Sequence, residues 1–184
     1  MPDDTKVDMS CVPYRRKGLY LVLTVPFLVL LALVFGYLWT YSFVLSLVFG
    51  LFYLSTSFFQ AYCCAYQDCP YVGGFCPAVI GIMPASLIAK AIYGDEKIVK
   101  SKERFGLYAT LAVISWLGLA AFPLFWIAKL GMAFAIGYVV CHVVYTVIFG
   151  LTICPACAIR DICPGGKFQG WVLKRSREGR VGND

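Results

Sequence analysis

Two stretches of this chain are almost empty of charge, and they are the longest features in its pattern of apolar and polar positions. Residues 19–67 contain no Lys, Arg, Asp or Glu, and residues 105–157 contain only Lys129. Each run is too long for one membrane crossing and about right for two, because a crossing needs roughly 20 apolar residues. The pattern therefore predicts an all-α integral membrane protein with four transmembrane helices, near 18–37, 41–62, 106–127 and 132–153. Pro26 and Pro123 fall inside these runs, where a membrane helix tolerates proline if a neighbour satisfies the freed carbonyl. Gly36, Tyr37, Trp39 and Tyr41 are expected in the first turn, where their aromatics suit an interface. Lys129, Leu130 and Gly131 supply the second.

The polar intervals complete the map. Residues 1–17 form an N-terminal segment, and residues 18–93 a first unit of two spans followed by a cysteine-bearing loop. Within that loop Pro70, Pro77, Gly73, Gly74 and Gly81 argue for irregular backbone over residues 65–83. Pro84 to Tyr93 reads as a short interfacial helix with Leu87, Ile88, Ala91 and Ile92 on its apolar side. Residues 94–105 are a charged connector, residues 106–166 a second two-span unit, and residues 167–184 a basic tail.

Composition supports the membrane reading. The 184 residues are 60% hydrophobic and 14% charged, against about 45–50% and about 25% for soluble domains. The first apolar run continues far beyond a signal-peptide h-region and no small-residue cleavage site follows, so no cleavable leader is expected. The basic residues are segregated. Lys6, Arg15, Arg16 and Lys17 precede the first span. Lys90, Lys97, Lys100, Lys102 and Arg104 separate the second from the third. Arg160, Lys167, Lys174, Arg175, Arg177 and Arg180 follow the fourth. Only Lys129 lies on the other side. That asymmetry predicts cytoplasmic termini and a cytoplasmic central loop in a multi-pass protein of the cell membrane. The net charge of +6 follows from topology, calls for no nucleic acid, and leaves the tail free to touch anionic lipid.

The two units look like tandem copies. Gly18-Leu19-Tyr20, then Leu23 and Val25, matches Gly106-Leu107-Tyr108, then Leu111 and Val113. Each unit then ends in one phrase: Cys64-Ala65, Asp68-Cys69-Pro70 in the first, Cys157-Ala158, Asp161-Ile162-Cys163-Pro164 in the second. With an even number of spans per unit, both copies insert the same way up, and their cysteines meet on one side.

Those cysteines carry the candidate chemistry. Cys11, Cys63, Cys64, Cys69, Cys76, Cys154, Cys157 and Cys163 all fall at or beyond the predicted cytoplasmic boundary; Cys141 alone is mid-span. A reducing cytosol disfavours a disulfide framework and favours metal ligation. Cys63 or Cys64 with Cys69 and Cys76 would make one site. Cys154 and Cys157, one helical turn apart, would make the other with Cys163 and a ligand from elsewhere, for which Cys11 is the candidate. Cysteine–proline occurs at Cys69, Cys76, Cys154 and Cys163, and Gly73-Gly74 and Gly165-Gly166 would let backbone amides approach sulfur. The run C-x2-C-x5-C-P resembles the bacterial ferredoxin run only in its closing dipeptide.

Two metals compete. Zinc takes four thiolates as a structural staple, whereas an iron–sulfur cluster takes the same ligands and carries electrons. Only Cys154 and Cys157 make a C-x2-C knuckle of the zinc type, and the irregularity favours iron–sulfur. Cysteine is also a favoured buried residue, so simple packing competes with both. The Cys63-Cys64 pair at a span end resembles the vicinal pair of small mercury-transport membrane proteins. That likeness covers two residues in a different helix context and implies nothing further.

The remaining candidates are weaker. His142, the only histidine, sits mid-span, where a polar residue is a functional candidate. One histidine cannot supply both axial ligands of a b-type haem, so packing or an interhelical hydrogen bond is expected of it. Asp68 and Asp161, at matching positions, are expected to cap turns, and Arg160 to offset thiolate charge. The predicted spans contain no Asp, Glu, Lys or Arg, which argues against a proton pump. With no nucleotide motif or catalytic triad either, a non-catalytic subunit is expected rather than an enzyme alone. The expectation is a membrane anchor or relay with an iron–sulfur centre, working with a redox partner in a larger membrane complex. Alternatives are a soft-metal transporter or metal-handling protein, and a zinc-stapled structural or assembly protein.

Overall fold

A computed structural model describes residues 17–69, 72, 82–93, 101–152 and 170. The described residues are helical throughout, apart from short turns. Six helices follow in order: α1 Lys17–Tyr41, α2 Phe43–Tyr66, α3 Ile82–Tyr93, α4 Lys102–Ala121, α5 Leu124–Leu130 and α6 Met132–Thr152. Among the described residues, four segments are long and apolar enough to cross a membrane: residues 21–41, 43–66, 102–130 and 132–152. The third combines α4 and α5.

Helix ends follow local chemistry. Gly36 to Tyr41 continue α1 rather than forming the expected turn, because Leu38 at 0% exposure is anchored in the core. Tyr37 is anchored as well: its hydroxyl donates to the Trp126 carbonyl at 3.1 Å. The turn shrinks to Ser42, whose extended backbone and hydroxyl cap α2 by accepting from the Val44 amide at 3.3 Å. Ser101 caps α4 in the same way through the Arg104 amide at 3.4 Å. Gly131, at φ 141, makes the sharp turn into α6, a conformation open to glycine.

Pro123 breaks the third span into two pieces without leaving a bare carbonyl. Proline has no N–H, so it cannot serve the carbonyl four residues back, that of Leu119. The hydroxyl of Tyr138, on α6, donates to that carbonyl at 3.0 Å. Beyond the proline, Trp126 and Ile127 resume the ladder on the Pro123 carbonyl at 3.1 and 2.9 Å. The requirement that neighbours satisfy a membrane proline is met here by a named residue.

The core is built from two stripes with alternating spacings of three and four. On α1 they are Thr24, Phe27, Leu31, Val34 and Leu38; on α6, Ala135, Tyr138, His142, Tyr145 and Phe149, all buried. This spacing is that of left-handed helix packing in membrane bundles. Trp116 and Leu119 from α4, Ile127 from α5 and Phe49 from α2 fill the space between. α2 and α4 lie along one another, and Gly118 permits this. A Cβ there would sit 2.5 Å from the Phe52 ring. The outward faces carry Val22, Val29, Leu33, Leu47, Leu51, Ile136, Val140 and Val147, all exposed, as a hydrocarbon solvent requires.

Candidate metal-binding face

Three of the four described cysteines gather where α2 ends. Cys63 and Cys64 close the helix, and the chain leaves it through a two-bond cap. The Cys69 amide donates to the Cys64 carbonyl at 3.1 Å and the Asp68 amide to the Ala65 carbonyl at 3.3 Å. Between them Asp68 adopts φ 49, the left-handed conformation. This is the Schellman arrangement, in which the residue after the left-handed position folds back toward the last helical turn. Here the residue folded back is Cys69 and the turn it meets carries Cys64. Both are buried, at 7% exposure each, while Cys63 is half-buried. None of Cys63, Cys64, Cys69 and Cys141 is in a disulfide.

A collar of rings surrounds this helix end. Tyr66 stacks on Phe105 at 4.6 Å, and Tyr62 meets Tyr108 at 4.5 Å and Tyr93 at 6.0 Å. Phe59 approaches Tyr108 at 5.6 Å. α2, α3 and α4 are thereby clasped together one turn below the cap.

Thiols are the donors a soft metal takes, but the described residues do not assemble a ligand set from them. Among the described residues, no three Cys, His, Asp or Glu side chains converge as ligands of one ion. Cys11, Cys76, Cys154, Cys157 and Cys163 lie outside the described residues, as do Asp161 and Arg160. The expected pairing of Cys11 with the second cluster lies outside them as well.

Two mid-span residues are placed clearly. Cys141 is exposed on the outer face of α6, in the middle of that helix. His142 points the other way, into the core at 5% exposure. Its Nδ1 lies 3.2 Å from the Tyr138 carbonyl, and its Nε2 is buried without a hydrogen-bond partner. Phe27 presents an edge contact at 4.8 Å, and Tyr138 and Trp116 lie at 4.3 and 5.6 Å. This is a packed aromatic nest in which the ring is held on all sides.

Sequence reasoning did not anticipate the Tyr138–Leu119 bond or the tyrosine collar. The first had a signal in Pro123, which declares that some side chain must reach Leu119. The second had only the recurrence of Tyr62, Tyr66, Tyr93 and Tyr108 near the ends of their segments. No known protein family, curated protein or solved structure matches the chain. The fold and apolar surface define a multi-pass membrane protein.

Proposed function

We propose that this membrane protein holds a thiolate-bound metal centre at the end of the bundle where α2 terminates. In its fuller form, the centre is an iron–sulfur cluster that relays electrons at the membrane face to a partner protein. The observation that carries the reading is the cap at residues 64–69. The cap turns the Cys69 backbone back to the last helical turn, which carries Cys64, and both residues are buried; on this reading the two thiols serve one ion as soft donors. Cys63 and Cys76, and the second cluster of Cys154, Cys157 and Cys163 with Cys11, supply the remaining ligands. The repeated cysteine phrase supports two equivalent centres, one per two-span unit. The excess of Lys and Arg at this end favours its placement in the cytoplasm, where thiols stay reduced. The bound cluster would supply one-electron chemistry; the chain's own part is to deliver thiolates and exclude water from them.

Anaerobic purification tests this directly. The proposal expects broad visible absorbance with matching iron and acid-labile sulfide, both reduced in Cys64→Ser and Cys69→Ser. Colourless protein with stoichiometric zinc would replace the redox role by a structural staple. Metal uptake into vesicles that depends on Cys63 and Cys64 would point instead to transport. Protein that retains no metal, with its thiols open to alkylation, would overturn the metal-centre reading altogether.

A further inference from the structure

The helix α3 has a placement that its sequence does not announce. It packs lengthwise along α2, and Ala85, Ser86 and Ala89 are buried at 0–1% exposure. In the neighbouring stretch α2 has its own small buried residues, Ser57 and Ala61, and small residues are what allow membrane helices to approach closely. The register is set by Tyr93, at the last position of α3, whose ring lies 6.0 Å from that of Tyr62.

Beyond Tyr62, α2 has only one further turn before it stops at Tyr66. A 12-residue helix is about 18 Å long, and one turn offers about 5.4 Å. Lengthwise packing therefore requires α3 to run from Tyr93 back along α2, toward the middle of the bundle. Counting from Ser42, about 20 residues cross the hydrocarbon, which puts its far boundary near Tyr62. The tyrosines 62, 66, 93 and 108 cluster at that level, as interfacial aromatics do.

Charge agrees with this direction. No charged residue occurs from Cys69 to Ala89; Lys90 lies in the last turn of α3, and Asp95, Glu96 and Lys97 follow it. The neutral end is Ile82, and the charged end is the one beside the tyrosines. On the face away from α2, Leu87 and Ile92 are exposed at 56% and 52%, with no described residue to cover them.

We infer that α3 is a re-entrant half-span, standing in the bilayer leaflet on the cysteine side beside α2, with Ile82 its deep end. Leu87 and Ile92 face lipid acyl chains, and Lys90 reaches back to the interface along its own stem. The helix satisfies its own interior backbone groups, as hydrocarbon requires of a segment at that depth. None of this depends on a bound metal.

Depth measurement tests it. A spin-labelled amino acid is incorporated singly at Leu87, Ile92, Leu54 or Lys102 of the full chain in phosphatidylcholine liposomes. All four positions are exposed, so the labels leave the packing intact. Collision with oxygen is then compared with collision with a water-soluble nickel chelate. Leu87 is expected to favour oxygen as strongly as Leu54 on α2, Ile92 to be shallower than Leu87, and Lys102 to favour nickel. Equal depth at Leu87 and Ile92 would mean a helix lying flat on the surface, and would overturn the inference. Nickel access at Leu87 matching that at Lys102 would place α3 outside the bilayer, with the same consequence.

Discussion

Phe27 and Tyr145 lie face to face, with ring centroids 4.0 Å apart and planes 2° from parallel. The stack joins α1 to α6, and so the first hairpin to the second, at the centre of the buried aromatic cluster. Trp116 and His142 complete the contact around Phe27 at 5.6 and 4.8 Å.

Phe27→Ala removes the ring that all three others touch. Loss of stability by about 3 kcal/mol is expected, on the scale of buried Phe truncations. Val29→Ala, whose side chain faces outward, is expected to change stability by less than about 0.5 kcal/mol, as ordinary surface substitutions do. Reversible unfolding in mixed detergent micelles distinguishes the two. Equal losses would mean that the Phe27 cluster does not hold α1 to α6.

The Tyr138 hydroxyl and Pro123 form a coupled pair. Tyr138→Phe is expected to cost about 1 kcal/mol, in the range of interhelical hydrogen bonds in membranes. In a Pro123→Ala background, the backbone amide regained at that position can serve Leu119 itself, and the cost of Tyr138→Phe should largely disappear. A double-mutant cycle reads that coupling directly; additive losses would contradict it.

Gly118 and Gly137 make opposite predictions. Any side chain at Gly118 meets the Phe52 ring, whereas a Cβ at Gly137 meets nothing within 4 Å. Gly118→Val is expected to separate α2 from α4 and lower the unfolding midpoint. Gly137→Ala should leave it unchanged or raise it slightly through reduced chain entropy in the unfolded state. Phe52→Ala should partly rescue Gly118→Val, because it removes the ring the new side chain strikes.

Asp68 tests whether the cap governs the proposed metal site. Asp68→Gly suits the left-handed backbone better and should retain full metal content, while Asp68→Val is strained there by about 1 kcal/mol or more. Elemental analysis of the two proteins, alongside Cys141→Ser as a control remote from the cap, checks this. Metal retained in Asp68→Val as in Asp68→Gly would separate the cap from metal binding.

The four spans were legible because charge is excluded from hydrocarbon, and the excluded stretches are easy to find. The inward faces were harder to see. In a soluble helix an apolar stripe marks the core, but in lipid both faces are apolar and periodicity loses its contrast. On α1 the inward positions are Thr24, Phe27, Leu31, Val34 and Leu38 and the outward ones Val22, Val25, Val29 and Leu33. Nothing in hydrophobicity alone separates those sets. Size and polarity separate them in part, since Thr24 and Phe27 stand out among Val and Leu. A turn at Asp68 was expected, but its left-handed backbone was not legible: that position is usually glycine, and aspartate there carries no comparable signal. The turn predicted over Gly36 to Tyr41 failed because Gly36 and the aromatics suggested a bend, whereas Leu38 and Tyr37 are held by the core and by Trp126.

The Tyr138–Leu119 bond also bears on how the protein enters the membrane. The third span emerges from synthesis with the Leu119 carbonyl unserved by Pro123, and its donor lies 19 residues later in the chain. A lone third span therefore carries an unsatisfied carbonyl in hydrocarbon until α6 arrives. The second hairpin should accordingly integrate as one unit. Truncation before Tyr138 is expected to weaken insertion of residues 102–130, and Pro123→Ala to restore it.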